Sequence, residues 1–429
     1  MLSPGTVLTV EIEKPAAGGA MIARHEGQVV LVRHAIPGER LRVRVTRVRP
    51  GVAYADPVEV IAASPDRRTD AGDWMCGGCV FAHIAYARQP ALKAEIVRDA
   101  LARIGGVSVD GAISVAAARE DGYRMRARLH VRKGRIGFFR EATHQMCDPA
   151  PTRQLLPETL AVLGALGAVM RRVHAPAATD LELAENVPAS ERAVHLVLAP
   201  GSQPPRAGPL AAVGGLTGFS WSEAGGRGGR IAGQPWVTDI VAPASEGGVP
   251  IHLRHHVESF FQANRYLLST LLTRVLACVP PGPVLDLYAG VGLFAVGLAA
   301  RGERAVVAVE GDRHGAADLA INAAPYGDGV EVVHQSVERF LEDRRAAPEA
   351  TVLIDPPRTG LSGGALQGIL GRRPARIVYV SCDVATLARD VKRFTADGYA
   401  VAHVEAFDLF PNTAHVESLV VLQRSERAV

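Results

Sequence analysis

The stretch LDLYAGVGLFAVGLA, residues 285–299, decides the fold of the carboxyl-terminal half of this chain. It begins as a buried apolar strand, turns at Gly290 and Gly292, and continues as a helical pattern. The same order of strand and helix recurs in AVVAVEG (305–311), VEVVHQS (330–336), TVLIDPP (351–357) and RIVYVSC (376–382). Strands that alternate with helices in this way predict a doubly wound α/β sheet.

The last two strands of this half must pair differently. Only residues 411–414 separate DLF from HVESLVVL, and so short a link cannot make a parallel crossover. The last strand is therefore predicted to run antiparallel, so that Glu417 begins at the edge where the other strands end. Ligands of such sheets bind at that edge, where Asp286, Asp355 and Cys382 also lie.

Composition excludes several classes of protein. The chain has 429 residues, of which 48% are hydrophobic and 21% charged, which predicts a folded protein of two or three domains. Five scattered cysteines do not resemble a disulfide framework, so a reducing, cytoplasmic location is expected. The first residues lack the pattern of a signal peptide, and the apolar stretch 160–170 is too short to span a bilayer, so no membrane partner is expected. The net charge of +3 says little about partners.

Three domains are predicted from the change in pattern along the chain. Residues 1–63 contain short β-type runs between turns, which favours a small five-stranded barrel of the OB type, a common nucleic-acid platform. Residues 64–250 form a mixed middle domain with a cysteine pair and a helix over 89–104 that could pack on the α/β domain that follows. Residues 251–429 form the α/β domain.

The glycine turn predicts a nucleotide-like ligand. Glu310 ends the next strand 20 residues after Gly290, where a carboxylate can accept hydrogen bonds from ribose hydroxyls. The third glycine of the dinucleotide fingerprint is missing, so NAD is not favoured, whereas S-adenosylmethionine also has a ribose and fits the pattern. A tight turn without any ligand is the alternative.

Asp355 and Cys382 both follow buried strands at the ligand edge. Two prolines after Asp355 stiffen its loop, so its carboxylate could bind a planar base, although a simple turn aspartate is an equal alternative. Cys382 stands where a helix begins, and a nearby charge or dipole could lower the pKa of its thiol and make it a nucleophile. Packing as a small apolar residue is the alternative for a lone cysteine.

Four motifs carry a family resemblance. LDLYAGVGLF, DPPRTGL, YVSCDVATLARD and LFPNTAHVESLVVL, in this order, resemble the motifs of the S-adenosylmethionine-dependent RNA uridine-5-methyltransferases. SFFQAN, residues 259–264, resembles the beginning of that family's catalytic domain, and the amino-terminal barrel resembles its TRAM domain. The resemblance implies that Cys382 attacks C6 of uracil, that Glu417 removes the C5 proton, and that Asp355 holds the base.

The resemblance also implies the cofactor and the partner. S-adenosylmethionine would be bound by Gln262, Asp286, Tyr288, Gly290, Gly292, Glu310 and Asp355. The partner would be RNA, either tRNA or large-subunit rRNA, with a flipped or looped base. Leu293 departs from the family, where an asparagine often contacts the cofactor; affinity is then lower, or another group takes over. The sequence gives no indication of the oligomeric state.

A metal site is a further hypothesis. Some family members bind an iron–sulfur cluster through four cysteines, and Cys76, Cys79 and Cys147 match three of them, whereas Asp70 stands at the fourth position. An iron–sulfur cluster normally needs four thiolates. A three-cysteine cluster, carboxylate ligation by Asp70 or Asp73, a zinc site and no metal all stay open.

Three other functions compete with the uridine-5-methyltransferase. A cytosine-C5 methyltransferase also attacks C6 with a cysteine, but that class places it after a proline, whereas Ser381 precedes Cys382 here. A non-catalytic RNA-binding relative would not need Cys382, Glu417 and Asp355 together. A redox protein built on the three amino-terminal cysteines would have little use for Cys382.

Overall fold

The structure is a computed structural model that describes residues 2–69, 75–141, 143–172, 178–203, 207–223, 226, 228–244, 248–302, 305–342 and 351–425. Asp70 and Asp73, which the metal hypothesis invokes, lie outside these residues. None of the helices in the described ranges is long and apolar enough to cross a membrane.

The amino-terminal segment is a closed barrel, as predicted. Its five strands are β1 (Val7–Pro15), β2 (Met21–His25), β3 (Gln28–Val32), β4 (Arg40–Arg49) and β5 (Val52–Ala62), joined in the order β1-β2-β3-β5-β4. Residues alternate along β1 and β4, so that Val10, Leu41 and Val43 fill the interior while the arginines of β4 point outward. The sequence patterns did not show β2, because this strand is short and ends in Arg24 and His25.

The middle segment forms one large sheet and contributes to another. Its elements are α1 (Gln89–Arg103), β6 (Ser114–Ala116), β7 (Arg126–Arg132), β8 (Arg135–Phe139), β9 (Met146–Cys147), α2 (Pro157–Arg172), β10 (Ala178–Glu185), β11 (Arg192–Leu198), α3 (Ala207–Ala211), β12 (Gly218–Glu223), β13 (Gly228–Gly233) and β14 (Trp236–Val241). Seven strands make a sheet in the order β13-β12-β11-β10-β7-β8-β9, hereafter the central sheet. The helix expected over 89–104 is present as α1.

The carboxyl-terminal segment is the doubly wound sheet that the sequence predicts. Its elements are β15 (Ile251–His256), α4 (Leu268–Ala277), β16 (Val284–Leu287), α5 (Leu293–Ala299), β17 (Val306–Glu310), α6 (Arg313–Ala323), β18 (Val330–His334), α7 (Val337–Glu342), β19 (Thr351–Ile354), α8 (Gly363–Arg372), β20 (Arg376–Ser381), α9 (Val384–Ala396), β21 (Tyr399–Phe407) and β22 (Glu417–Arg424). Strand β15 pairs with β14 in a separate hairpin. The main sheet has the order β18-β17-β16-β19-β20-β22-β21-β6, and β22 runs antiparallel to both of its neighbours, as predicted.

Part of the middle segment attaches to this sheet. Strand β6 extends it at the edge by pairing parallel with β21, and helix α1 packs against α9. A buried ion pair joins the two parts, because the Lys93 ammonium of α1 contacts the Asp408 carboxylate just after β21, with both side chains fully buried.

The order of the strands creates a crevice. From β16 the chain first moves outward to β17 and β18, and it then returns to the other side of β16 to form β19 and β20. Strand order therefore reverses between β16 and β19, where Leu287 pairs with Ile354. Ligands of doubly wound sheets bind at such a reversal, beyond the carboxyl ends of the strands.

Candidate active site

A cavity of about 600 Å³ opens at the reversal of strand order. Its lining includes Gln262, Tyr288, Gly290, Glu310, Asp355, Cys382 and Glu417, which the sequence had singled out from six separate stretches. Asp286 and Gly292 do not line the cavity: Asp286 is fully buried within β16, and Gly292 lies at the start of α5. The structure thus gathers the predicted nucleophile, base and cofactor-binding residues around one space.

The turn after β16 needs its glycines for two different reasons. Gly292 has a φ of +95°, and a Cβ atom there would lie 2.6 Å from Leu319 Cδ1 of α6. Gly290 has a φ of +56°, but a Cβ atom there would meet nothing within 4 Å, because this part of the backbone faces open space. Tyr288 adopts a φ of +61°, a conformation that costs a non-glycine residue free energy and is often found at functional sites. The turn therefore presents its backbone to a ligand.

Two carboxylates support this turn. Glu310 accepts hydrogen bonds from the Gly290 N–H at 2.7 Å and from the Asp312 N–H at 2.6 Å, so its position is fixed at the cavity wall. Asp286 is fully buried, and among the described residues neither of its carboxyl oxygens has a well-formed hydrogen bond. Burial raises the pKa of Asp286 well above its usual range, and the nearby Asp355 raises it further. The fixed Glu310 carboxylate and the open Gly290 backbone at the cavity wall fit the binding of the S-adenosylmethionine that the resemblance implies.

The pairing of β20 with β22 brings the predicted nucleophile to the predicted base. Ser381 pairs with Ser418, so Cys382 and Glu417, the next residue on each strand, emerge at the same edge. Asp383 caps α9 by accepting hydrogen bonds from the Ala385 and Thr386 amides, and this fixes the backbone directly after Cys382.

The electrostatics of the site favour the protonated forms of Cys382, Asp355 and Glu417. The pKa of the Cys382 thiol is raised to about 12, chiefly by burial and also by Glu417 and Asp355, while the Arg358 guanidinium opposes them. Burial also raises the pKa of Asp355 to about 7, and it raises that of Glu417 well above its usual range. The sequence had suggested that the start of α9 could lower the pKa of Cys382. The structure shows the opposite direction, because desolvation outweighs the helix dipole.

Gln262 and Leu293 lie beside these acids. The Gln262 amide donates a hydrogen bond to Asp355 at 3.4 Å, which links the SFFQAN motif to the loop after β19. Leu293 is buried at the start of α5 and lines a small side cavity of about 30 Å³ with Gln262, Tyr288 and Asp355. The leucine therefore places hydrocarbon at the position where the family often has an amide.

Several cavity residues were not singled out as site residues by the sequence analysis. They are Arg126, Glu258, Phe260, Asp312, Arg358 and Phe410. The signal for Phe260 was present, because it is the first phenylalanine of SFFQAN, and it is 64% exposed at the cavity although it is a large aromatic residue. Arg126 comes from β7 of the central sheet, and no local motif announces that this strand reaches the cavity.

Cys76, Cys79 and Cys147 lie close together, but two of them are oxidised to a disulfide. Cys76 and Cys147 form a disulfide, and Cys79 is buried next to the Gln154 amide, with 3.8 Å between Cys79 Sγ and Gln154 Nε2. This differs from the expectation of three thiolate ligands. Among the described residues, Cys79 is the one cysteine here outside the disulfide, and a single thiol does not fit an iron–sulfur cluster held by four thiolates.

The chain matches two known domain families. Residues 244–425 match the tRNA (Uracil-5-)-methyltransferase family, and residues 2–58 match the TRAM domain. The solved tRNA (uracil-54, C5)-methyltransferase of Pyrococcus abyssi, in complex with S-adenosyl-L-homocysteine, is similar with a TM-score of 0.76 over 97% of this chain and 100% of that one. At 24% identity, this likeness shows the fold.

Relatives that match over nearly the full length establish the family. An uncharacterized RNA methyltransferase of Streptomyces coelicolor is 32% identical over 99% of this chain and 94% of its own. The 23S rRNA (uracil(1939)-C(5))-methyltransferase RlmD of Halomonas elongata is 34% identical over 97% of this chain and 89% of its own. The protein described here belongs to the family of S-adenosylmethionine-dependent RNA (uracil-C5) methyltransferases with an amino-terminal TRAM domain.

Proposed function

We propose that the protein methylates C5 of a specific uridine in RNA through a covalent bond between Cys382 and C6 of the base. The convergence of Cys382, Glu417 and Asp355 on one cavity, opposite the glycine turn after β16, carries this proposal. S-adenosylmethionine, bound at that turn, supplies an electrophilic methyl group.

The residues of the chain perform the remaining steps. The Cys382 thiol loses its proton to solvent and its sulfur adds to C6, while the electrons of the C5–C6 double bond move toward C5 and O4, which makes C5 a nucleophile. Once C5 carries the methyl group, Glu417 takes its proton, the double bond forms again, and the Cys382 sulfur leaves. Asp355 orients the uracil edge, since it lies in the same wall and is held by Gln262.

The raised pKa values support this division of roles. A base that removes a proton from carbon works best when its pKa lies close to the working pH or above it, and burial raises the pKa of Glu417 well above its usual range. Formation of the Cys382 thiolate requires a group that lowers the pKa of the thiol. Arg358 is such a group, because its guanidinium lowers the pKa of Cys382. A neutral Asp355 in the occupied site would remove one of the two carboxylates that raise it, while Glu417 must be ionised when it accepts the C5 proton.

Large-subunit rRNA is the acceptor that we place first. Full-length relatives above 30% identity include 23S rRNA (uracil(1939)-C(5))-methyltransferases, whereas the tRNA enzyme of Pyrococcus abyssi shares the fold at lower identity. The barrel supports an RNA substrate, because the arginines of β4 form an exposed row of positive charge: Arg40, Arg42, Arg44, Arg47 and Arg49. We also propose a cytoplasmic location, where such RNA is found.

Nucleoside mass spectrometry tests the proposal. Large-subunit rRNA and tRNA are purified separately from cells with the gene, without it, and with a Cys382→Ala copy. We expect 5-methyluridine to disappear from rRNA without the gene and to stay absent with Cys382→Ala. Loss from tRNA instead would change the acceptor, and normal 5-methyluridine with Cys382→Ala would refute the covalent route.

The metal hypothesis for Cys76, Cys79 and Cys147 stays a prediction. Measuring the iron and zinc content of the protein, purified without oxygen, tests this hypothesis directly. Replacing Asp70 by cysteine should raise iron content if the site is a partial cluster, and unchanged iron would count against one.

A further inference from the structure

A second group of side chains that can bind a metal lies at the rim of the cavity. His256 ends β15, Glu258 follows two residues later, and His314 is in the first turn of α6. One ligand atom from each of the three residues lies within 4.8 Å of the other two. Glu258 also lines the cavity, so this cluster, hereafter the His–Glu–His cluster, borders the active site.

The distances within the cluster do not correspond to hydrogen bonds. Glu258 Oε2 lies 3.9 Å from His256 Nδ1 and 3.7 Å from His314 Nε2. Both separations exceed the length of a hydrogen bond. The two imidazole rings are stacked, with centroids 4.4 Å apart and planes 9° from parallel, so their nitrogens share one side of Glu258.

The hydrogen bonds around the cluster show where the imidazole lone pairs are. The Glu258 backbone N–H donates to His256 Nδ1 at 3.2 Å, so this nitrogen is an acceptor. The exposed Arg313 guanidinium lies 3.2 Å from His314 Nε2, and because arginine can only donate, that nitrogen is also an acceptor. Each of these nitrogens has one lone pair, so a cation can bind both together with Glu258 if it replaces the Glu258 N–H and the Arg313 guanidinium as their partners.

The spacing suits a transition metal after small movements. Zinc binds nitrogen and oxygen ligands at about 2.0–2.2 Å, which separates two tetrahedral ligands by about 3.3 Å. The two carboxylate–imidazole distances of 3.7 and 3.9 Å exceed this separation by a few tenths of an ångström, and all three ligand atoms lie within 4.8 Å of one another. Binding also requires the Arg313 side chain and the Glu258 N–H to move away from the two imidazoles. His195 Nε2 lies 3.4 Å from the other oxygen, Glu258 Oε1, and can orient this carboxylate.

We propose that His256, Glu258 and His314 bind one Zn²⁺ ion. Two imidazoles and one carboxylate form a ligand set that zinc uses in proteins, with a fourth position left for water. Because His195 belongs to β11 and contacts Glu258, the bound ion would fasten the central sheet to the catalytic domain beside the cavity. This site is separate from Cys76, Cys79 and Cys147.

Isothermal titration of the metal-free full-length protein with zinc chloride tests the site. We expect His314→Ala and His256→Gln each to weaken binding at least about tenfold, since even neighbours of metal ligands contribute 10- to 100-fold. His252→Ala is the matched control, because this histidine is exposed on the same strand, β15, and should leave zinc affinity unchanged.

X-ray absorption at the zinc edge identifies the ligands. Nitrogen and oxygen neighbours in the zinc-loaded wild type, lost in His314→Ala, would support the site. Zinc bound equally well by wild type, His256→Gln and His314→Ala, or a zinc ion surrounded by sulfur, would overturn it. Failure of the wild type to bind zinc would overturn it as well.

Discussion

The buried ion pair between Lys93 and Asp408 gives the sharpest prediction for stability. Both side chains are fully buried, and the Lys93 ammonium also donates a hydrogen bond at 2.9 Å to the Phe410 carbonyl. Phe410 lines the cavity and belongs to the loop that leads to Glu417. Replacing Lys93 by methionine keeps the volume nearly constant but leaves the Asp408 carboxyl without its charged partner.

The expected cost follows from that burial. Removing one partner of a buried ion pair typically costs about 3–5 kcal/mol, because the remaining charge stays desolvated. For a domain of this size that loss corresponds to a decrease in Tm on the order of 10 °C. The double variant Lys93→Met with Asp408→Asn should recover part of the loss. Lys14→Met, which breaks the partly exposed pair with Asp99, should cost no more than about 1 kcal/mol.

Urea unfolding followed by circular dichroism measures these differences, and methyl transfer at saturating RNA and cofactor measures their effect on kcat. We expect Lys93→Met to lower kcat, because the loop before Glu417 loses an anchor. A loss in Lys93→Met no larger than in Lys14→Met would refute the reasoning. A double variant whose loss of stability equals the sum of the two single losses would refute it as well, because the effects of replacing two residues in contact are not additive.

Four further predictions concern the cavity. Glu417→Gln should accumulate an RNA–protein adduct that survives denaturing electrophoresis, because the C5 proton stays in place; normal product release would show that another group is the base. Asp355→Asn should raise Tm more at pH 8 than at pH 4. Burial raises the pKa of Asp355 to about 7 in the folded protein, so the folded state loses stability as the pH rises from about 4 to 7, and asparagine avoids this loss. An equal gain at both pH values would contradict this. Gly290→Ala should abolish binding of S-adenosylhomocysteine by calorimetry, whereas Gly302→Ala, at a φ of +78° and away from the cavity, should lose about 1–2 kcal/mol of stability and keep binding. The Cys382 thiol should react with iodoacetamide more slowly than free cysteine at pH 8, because burial raises its pKa to about 12, and a faster reaction would contradict the electrostatics described here.

The α/β half was predictable because its signals are local. Each strand of the main sheet from β16 to β20 is a short apolar run that ends at a turn or a polar residue. The antiparallel direction of β22 was predicted from the short link between β21 and β22, and this direction also placed Glu417 beside Cys382. Tyr288, Glu310, Asp355, Cys382 and Glu417 could be named because each lies at an end of a strand or directly after it.

Features that depend on distant parts of the chain were not predictable. Strand β6 has three residues and completes the main sheet only because α1 and α9 hold it against β21. Arg126 reaches the cavity from the central sheet. The cluster of His256, Glu258 and His314 joins segments more than 50 residues apart in the sequence, and no spacing rule for metal ligands connects them.

The electrostatics of the cavity bear differently on the first and the last step of the proposed reaction. Burial raises the pKa of Asp286, Asp355, Cys382 and Glu417, so the free site favours the protonated form of each. A thiolate in the empty cavity would be poorly solvated and would also be open to oxidation. In the proposed reaction, the thiolate charge would pass into the uracil ring, and the Arg358 guanidinium, which lowers the pKa of Cys382, would stabilise the sulfur when it leaves again. The burial that suppresses the nucleophile in the free protein also raises the basicity of Glu417, so in this proposal one property of the site would serve both the first and the last step.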